Sequence, residues 1–436
     1  MLAALALLAC ASAAAATAAA GTPELGHFLD KARGIEDWLV STRRLLHTIP
    51  ELFYEEHNTS ATIRRYLDEL GIPYQYPVAK TGVVGTIGSG SPVVALRADI
   101  DALPIHEETG VEFASRSPGR MHACGHDAHM TMLLGAARLL KGMEKELKGT
   151  VRLLFQPAEE GGAGGDLLVK EGALDGVKAA FGMHVWPTLP SGSVRSRAGT
   201  IMAGTIQFDV TVRGRGGHAA MPHLTKDAVL AGAAITTAIQ ALVSRETSPF
   251  DSAVISVTRF SAGDAYNVLP DTVRLGGTMR GNTEESITHL RRRFEETVAS
   301  TAAAHGCTAE VDWMEERMPY YPPTVNDPEA YKFAIDVASR LLPDASQAGE
   351  TEGTMAGEDF AFIGRAVPAC FLFLGTRNES VGAVHGLHTP RFTLDEGVLP
   401  LGAALHTALA TQYLEQWHVR QPQGGGGSGT AGREEL

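Results

Sequence analysis

The chain has 436 residues, too long for one compact core and suited to two domains with tails. Apolar residues make up 44% and charged residues 20%, an ordinary globular balance. A net charge of -13 at pH 7 argues against a nucleic-acid partner or an anionic membrane surface.

Residues 1–20 are apolar or small, with no charge before Glu24. They read as a cleaved signal peptide that admits the chain to the secretory pathway. The apolar run of this leader is too short for a membrane span, and no later stretch is expected to be long enough. Of four cysteines, Cys10 lies in the leader, which leaves Cys124, Cys307 and Cys370. An odd number in an oxidising compartment leaves at least one thiol unpaired or otherwise occupied. Cys370 sits in an apolar run and reads as a core residue, whereas Cys124 lies between histidines. Asn58 and Asn378 stand in glycosylation sequons.

Helical spacing covers 28–49, ending at Pro50, and 59–70, ending at Gly71. Strands are expected at 83–87, 92–97, 151–155 and 179–185, with a helix at 131–141. This alternation predicts an α/β core with a mainly parallel sheet. Near Gly199 the texture changes. Strands at 206–212, 253–260, 272–280 and 308–313 and helices at 227–243 and 284–305 give the order β-α-β-β-α-β of a ferredoxin-like unit. The expected organisation is a leader at 1–20, a catalytic domain at 21–198 and 316–419, an inserted domain at 199–315, and a flexible tail at 420–436. The tail has a Gly-Ser linker and ends Arg433-Glu434-Glu435-Leu436, which resembles a Lys-Asp-Glu-Leu retrieval signal. Together with the leader it predicts the endoplasmic reticulum lumen, with a retrieval receptor as partner.

Acids, histidines and glycines concentrate in five segments: 96–104, 122–129, 156–162, 182–185 and 386–390. Strand-like runs lead into these clusters, so they fall at the carboxyl ends of strands, where ligands bind in an α/β sheet. Cys124 and His126 offer a thiolate and an imidazole around Gly125. Glu160, His184 and His388 complete a donor set. Five donors exceed the need of one structural zinc, and two divalent ions sharing Cys124 or a water fit better. Thiolate and imidazole suit zinc, carboxylate suits manganese, and a mixed site accepts either. Glu159, beside the ligand Glu160, is the expected general base; it takes a proton from activated water and returns it to the leaving amine. Asp101 and Asp127 are read as carboxylates that orient ligand histidines. Asp99 is left outside a donor set that is already full, and His122 and His129 receive no role. In the insert, His218 follows two glycines and suits an oxyanion contact. Asn267 and Arg280 suit a substrate carboxylate.

These segments, with Gly357-Glu-Asp-Phe360, resemble the two-metal peptidase and aminoacylase family that includes carboxypeptidase G, hippurate hydrolase and the plant auxin-conjugate amidohydrolases. The resemblance covers about residues 28–415. It implies metal ligands Cys124, His126, Glu160, His184 and His388, with Glu159 as base. It places Asp99 where the wider family has a metal-binding histidine. It implies that the insert is a lid and dimerisation domain whose His218 acts in a partner's site, although monomer and homodimer both remain open. The two chain ends resemble plant enzymes that hydrolyse indole-3-acetyl amino acids. That implies manganese, with zinc or cobalt as alternatives, and release of free auxin and an amino acid. A general N-acyl-amino acid hydrolase of the aminoacylase or hippurate type is the alternative. An inert binding or storage protein would have lost a ligand or the base, yet all six positions are filled.

Overall fold

The computed structural model of the chain describes residues 24–420. The expected leader, and all but the first residue of the expected tail, lie outside these residues. Runs of Val, Ile, Leu and Phe build one eight-stranded sheet. Its middle four strands, Thr150–Gln156, Val93–Asp99, Val177–Pro190 and Ala369–Arg377, run parallel in that spatial order. These strands are nearly continuous apolar runs because helices cover both faces. On one side, Gly82–Gly88 and Tyr74–Val78 add antiparallel strands. On the other, Val194–Ser196 is antiparallel to Ala369–Arg377 and parallel to Ala348–Glu350. The sheet is thus parallel at its centre and mixed toward its edges.

Two helices lie almost wholly inside. His126–Gly142 buries all but a few of its residues, and Leu399–Arg420 is buried continuously from Leu399 to Thr411. A helix buried all round has no polar face, so it carries no amphipathic stripe to read. That is why the spacing located only 131–141 of the first. The helix begins earlier, at His126, after Gly125 turns through φ 87°. A Cβ on Gly125 would also meet Val185 Cγ2 at 2.4 Å. The expected helix at 28–49 is two helices, Gly26–Arg33 and Glu36–His47, separated at Gly34 and Ile35.

The insert has its own four-stranded antiparallel sheet. Its spatial order is Ala253–Ala262, Thr272–Gly281, Gly204–Arg213, Thr308–Asp312. Helices Ala228–Ala238 and Glu284–Ala304 cover one face, with Asp227 and Thr283 capping their first turns. Along Gly204–Arg213, Ile206, Phe208, Val210 and Val212 join a separate apolar cluster with Ile235 and Phe294. The alternate residues Thr205 and Gln207 face the other way and line a cavity. The chain enters and leaves the insert through the antiparallel pair Gly199–Met202 and Thr324–Asn326. Beside it, Thr205 and Tyr321 exchange backbone hydrogen bonds at 2.9 and 3.0 Å.

One expectation needs correction. Among the described residues, the stretch Ala228–Glu246 is long and apolar enough to cross a membrane. Its apolarity has a local cause: Ala231, Ile235, Ile239 and Leu242 pack into the insert's own core.

Candidate metal centre

The carboxyl ends of the central strands bring four distant stretches together. Cys124 and His126 flank Gly125 at the start of the buried helix. His184 lies within Val177–Pro190, and Glu159 and Glu160 follow Thr150–Gln156. His388 comes from a loop whose own N–H donates to the Ala123 carbonyl at 2.9 Å. His388 sits at φ 58°, a region disfavoured for any residue with a Cβ.

Cys124 Sγ stands at the middle, 3.3 Å from His184 Nε2 and 3.2 Å from His388 Nε2. Two triads share it. Cys124, His126 and His184 form one, and Cys124, Glu160 and His388 the other; within each, the ligand atoms lie inside 4.8 Å of one another. His126 Nδ1 donates to the Asp101 carbonyl at 2.8 Å and His184 Nδ1 to the Val185 carbonyl at 2.7 Å. Both rings therefore turn an Nε2 lone pair inward.

The cluster fits a pair of divalent ions on three grounds. His126 Nε2 is buried without a hydrogen-bond partner among the described residues, and Glu160 Oε1, also buried, lies 3.2 Å from His388 Nε2, two candidate ligand atoms facing one another. Burial, then Glu160 and Glu159, push the Cys124 thiol well above its ordinary value, so only added positive charge makes this thiol a good thiolate. Burial, then Glu358 and Glu160, likewise push Glu159 well up. The donor set itself, one sulfur with imidazoles and carboxylate, is one that divalent ions accept.

A buried charge network lies beneath. Arg97, 1% exposed, reaches Asp99 at 2.8 Å and Glu358 and Asp359 at 2.9 Å each, and its Nε donates to Gln156 at 2.9 Å. Burial raises Glu358 to about 8 and Asp359 to about 6 despite Arg97. Asp99 also accepts from His129 at 2.6 Å and stands 3.6 Å from His126 Nε2. His129 is fully engaged, since its Nε2 accepts the Val185 N–H at 2.9 Å. His122 is buried without a hydrogen-bond partner, and burial lowers it to about 3.

The orienting acids divide. Asp101 holds His126 through its carbonyl, while its carboxylate accepts the N–H groups of Glu159 and Glu160 at 3.1 and 2.9 Å. Asp127 orients none of the candidate ligands. Its carboxylate turns to Arg43 at 2.8 Å and His47 at 2.7 Å. One residue along the helix from His126, it points about 100° away.

A cavity of about 300 Å³ opens over the cluster, with the insert as its far wall. Arg280 and Gln207 line it from the insert, and Trp186, Met202, Met318 and Leu387 supply apolar surface. Trp186 stacks on Phe373 at 4.1 Å and 15°, so its ring is held in place. Arg280 donates to the Met355 carbonyl at 2.6 Å. His218 and Asn267 do not line this cavity. His218 sits on the small pair Gly217–His218 and Val268–Leu269, and exposed Asn267 just before it accepts the Ala219 N–H at its carbonyl at 3.0 Å.

Arg97, Glu358, Asp359 and Tyr321 had no assigned role from sequence. A charged residue inside the apolar strand Val93–Asp99 was a usable signal for Arg97, since a buried charge requires partners. Nothing local marked Tyr321.

Residues 95–412 match the peptidase family M20/M25/M40. The chain is 46% identical to the IAA-amino acid hydrolase ILR1-like 4 of Arabidopsis thaliana, over 88% of this chain and 88% of that one. It is 40% identical to an N-acetylcysteine deacetylase of Bacillus subtilis, over 86% of this chain and 97% of the other. A solved dinuclear metal-binding M20 peptidase from Bacillus subtilis superposes with a TM-score of 0.74 at 36% identity, covering 88% of this chain and 99% of that one. With this donor cluster at the carboxyl edge of this sheet, the chain belongs to peptidase family M20/M25/M40 and is a metal-dependent amidohydrolase.

Proposed function

We propose that this protein hydrolyses the amide bond of indole-3-acetic acid–amino acid conjugates, releasing free auxin and an amino acid. The observation that carries the reading is the cavity: a shared-cysteine donor cluster at its floor, a fixed indole ring and thioethers in its wall, and Arg280 opposite. The identity to a plant hydrolase of such conjugates supports it. Cys124, His126 and His184 would hold one divalent ion, and Cys124, Glu160 and His388 a second. Manganese is the proposed metal, with zinc or cobalt as alternatives. When bound, such ions polarise the amide carbonyl and acidify water.

The chain's own groups do the rest. Asp101 fixes the Glu159-Glu160 turn through two N–H bonds and holds the His126 ring. Glu159, buried beside the donor cluster, takes a proton from the attacking water and passes it to the departing amine. Arg280 receives the substrate carboxylate, and the apolar wall takes the aromatic acyl group. His218 and Asn267 reach a site only in a dimer. Tyr266 and Leu224 near them are 109% and 57% exposed, which suits burial against a second copy. Entry through the leader and retrieval by a receptor for the C-terminal tetrapeptide would place the enzyme in the endoplasmic reticulum lumen.

The test is a substrate panel with and without chelation. Indole-acetyl conjugates should turn over fastest, and a strong chelator should abolish all rates until manganese is restored. The similarity to a bacterial deacetylase favours a second reading, a general N-acyl-amino acid hydrolase. Equal rates on acetyl-methionine would select it.

A further inference from the structure

The Tyr321 hydroxyl makes two bonds to one short loop. It donates to the Glu159 carbonyl at 2.6 Å and accepts from the Ala163 N–H at 3.0 Å. That loop is held in a disfavoured shape, with Ala158 at φ 58° and Ala163 at φ 50°. Such backbone persists only where its surroundings hold it. Most of the holding comes from the core. Glu56 accepts the Ala158 N–H at 2.9 Å, and the Tyr54 hydroxyl donates to the Gly162 carbonyl at 2.7 Å.

Tyr321 differs in where its backbone lies. It pairs with Thr205 at the crossing into the insert. Thr205 in turn stands directly opposite Arg280 in the insert's sheet. One residue thus joins the loop of the base to the wall that carries Arg280. The two sides of the cavity come from separate apolar cores. Other polar ties cross between them, such as Arg280 to the Met355 carbonyl at 2.6 Å, but Tyr321 is the tie that ends on the loop of the base.

We infer that Tyr321 is a positioning residue, whose hydroxyl holds Glu159 in register with the insert wall across the cavity. The inference rests on Glu159 as the proton carrier. A base must lie within hydrogen-bond reach of the proton it takes. A displacement of about 1 Å costs on the order of a hundredfold in rate.

Tyr321→Phe removes one oxygen and leaves the ring against Phe362, 6.2 Å away between centroids. We expect kcat to fall about tenfold to a hundredfold, with KM changed by less than about threefold. Bound metal and melting temperature should stay near those of the parent. Tyr54→Phe, which frees the same loop without touching the insert crossing, should lower kcat far less. Equal losses in the two variants would overturn the link to the insert. An unchanged kcat in Tyr321→Phe, with Glu159→Gln inactive, would overturn the positioning role alone. Loss of metal or early melting in step with kcat would assign the hydroxyl to holding the fold and overturn it too. Full activity of Glu159→Gln would instead sink the base assignment, and this inference with it.

Discussion

The carboxyl end of the central sheet and the outer edge of the insert both attracted functional assignments, and they are built in opposite ways. At the sheet end, Cys124, His126, His184 and Asp101 are buried, and each makes a hydrogen bond that fixes its direction. At the insert edge, His218 is exposed, and its ring Nδ1 accepts the nearby Ala220 N–H at 3.0 Å. A reaction that develops charge needs donors set in place beforehand. The first region has them within one chain. The second lacks them within the described residues, and under the proposal that His218 acts in a partner's site a second copy would supply the missing surface.

The largest effect should come from the sheet end. Glu159→Ala should lower kcat about 10²–10⁴-fold while metal content, measured by elemental analysis, stays unchanged. Activity retained in that variant would break the comparison at its stronger side. At the insert edge, His218→Ala should lower kcat about 10²–10³-fold, the usual cost of one oxyanion donor. Mixing the Glu159→Ala and His218→Ala proteins through unfolding and refolding sharpens the point. In mixed dimers one site regains both groups, so about a quarter of parental activity should return. No recovery would place His218 outside the partner's site.

The smallest effect concerns the acid that turned away from the metals. Burial and Arg43 press the His47 imidazole down, but Asp127 and Glu107 outweigh them and hold it above its ordinary value. A raised folded value means that the charged ring stabilises the fold fully below its unfolded value, about 6.5. That contribution disappears as pH climbs through the folded value. Melting temperature should therefore drop by about 2 °C between roughly pH 6 and 9. His47→Gln should remove that slope; an identical slope would assign it to other groups.

Residues close in sequence and rigid in spacing were readable. Cys124-Gly-His126 and Glu159-Glu160 carry their chemistry in adjacent positions, and the β-α-β-β-α-β order of the insert follows from half-buried strands with clear alternation. The fully buried helices were legible only in part, because an element without a polar face has no period to detect. Asp127 misled for a related reason. It was read as an acid that orients a ligand histidine, yet as the helix neighbour of His126 it faces a different direction, toward Arg43 and His47.

The amino-acid sequence by itself determined the donor types, the strand ends that present them, and the presence of an inserted unit, since each rests on local pattern and covalent adjacency. Tertiary structure alone decided which donors join Cys124 in each triad, that Arg97 pairs with three acids beneath them, and that Tyr321 reaches the base's loop from the chain's exit out of the insert. Those contacts join residues up to 264 positions apart. Their geometry depends on how whole layers settle against one another, and no short window of sequence contains that information.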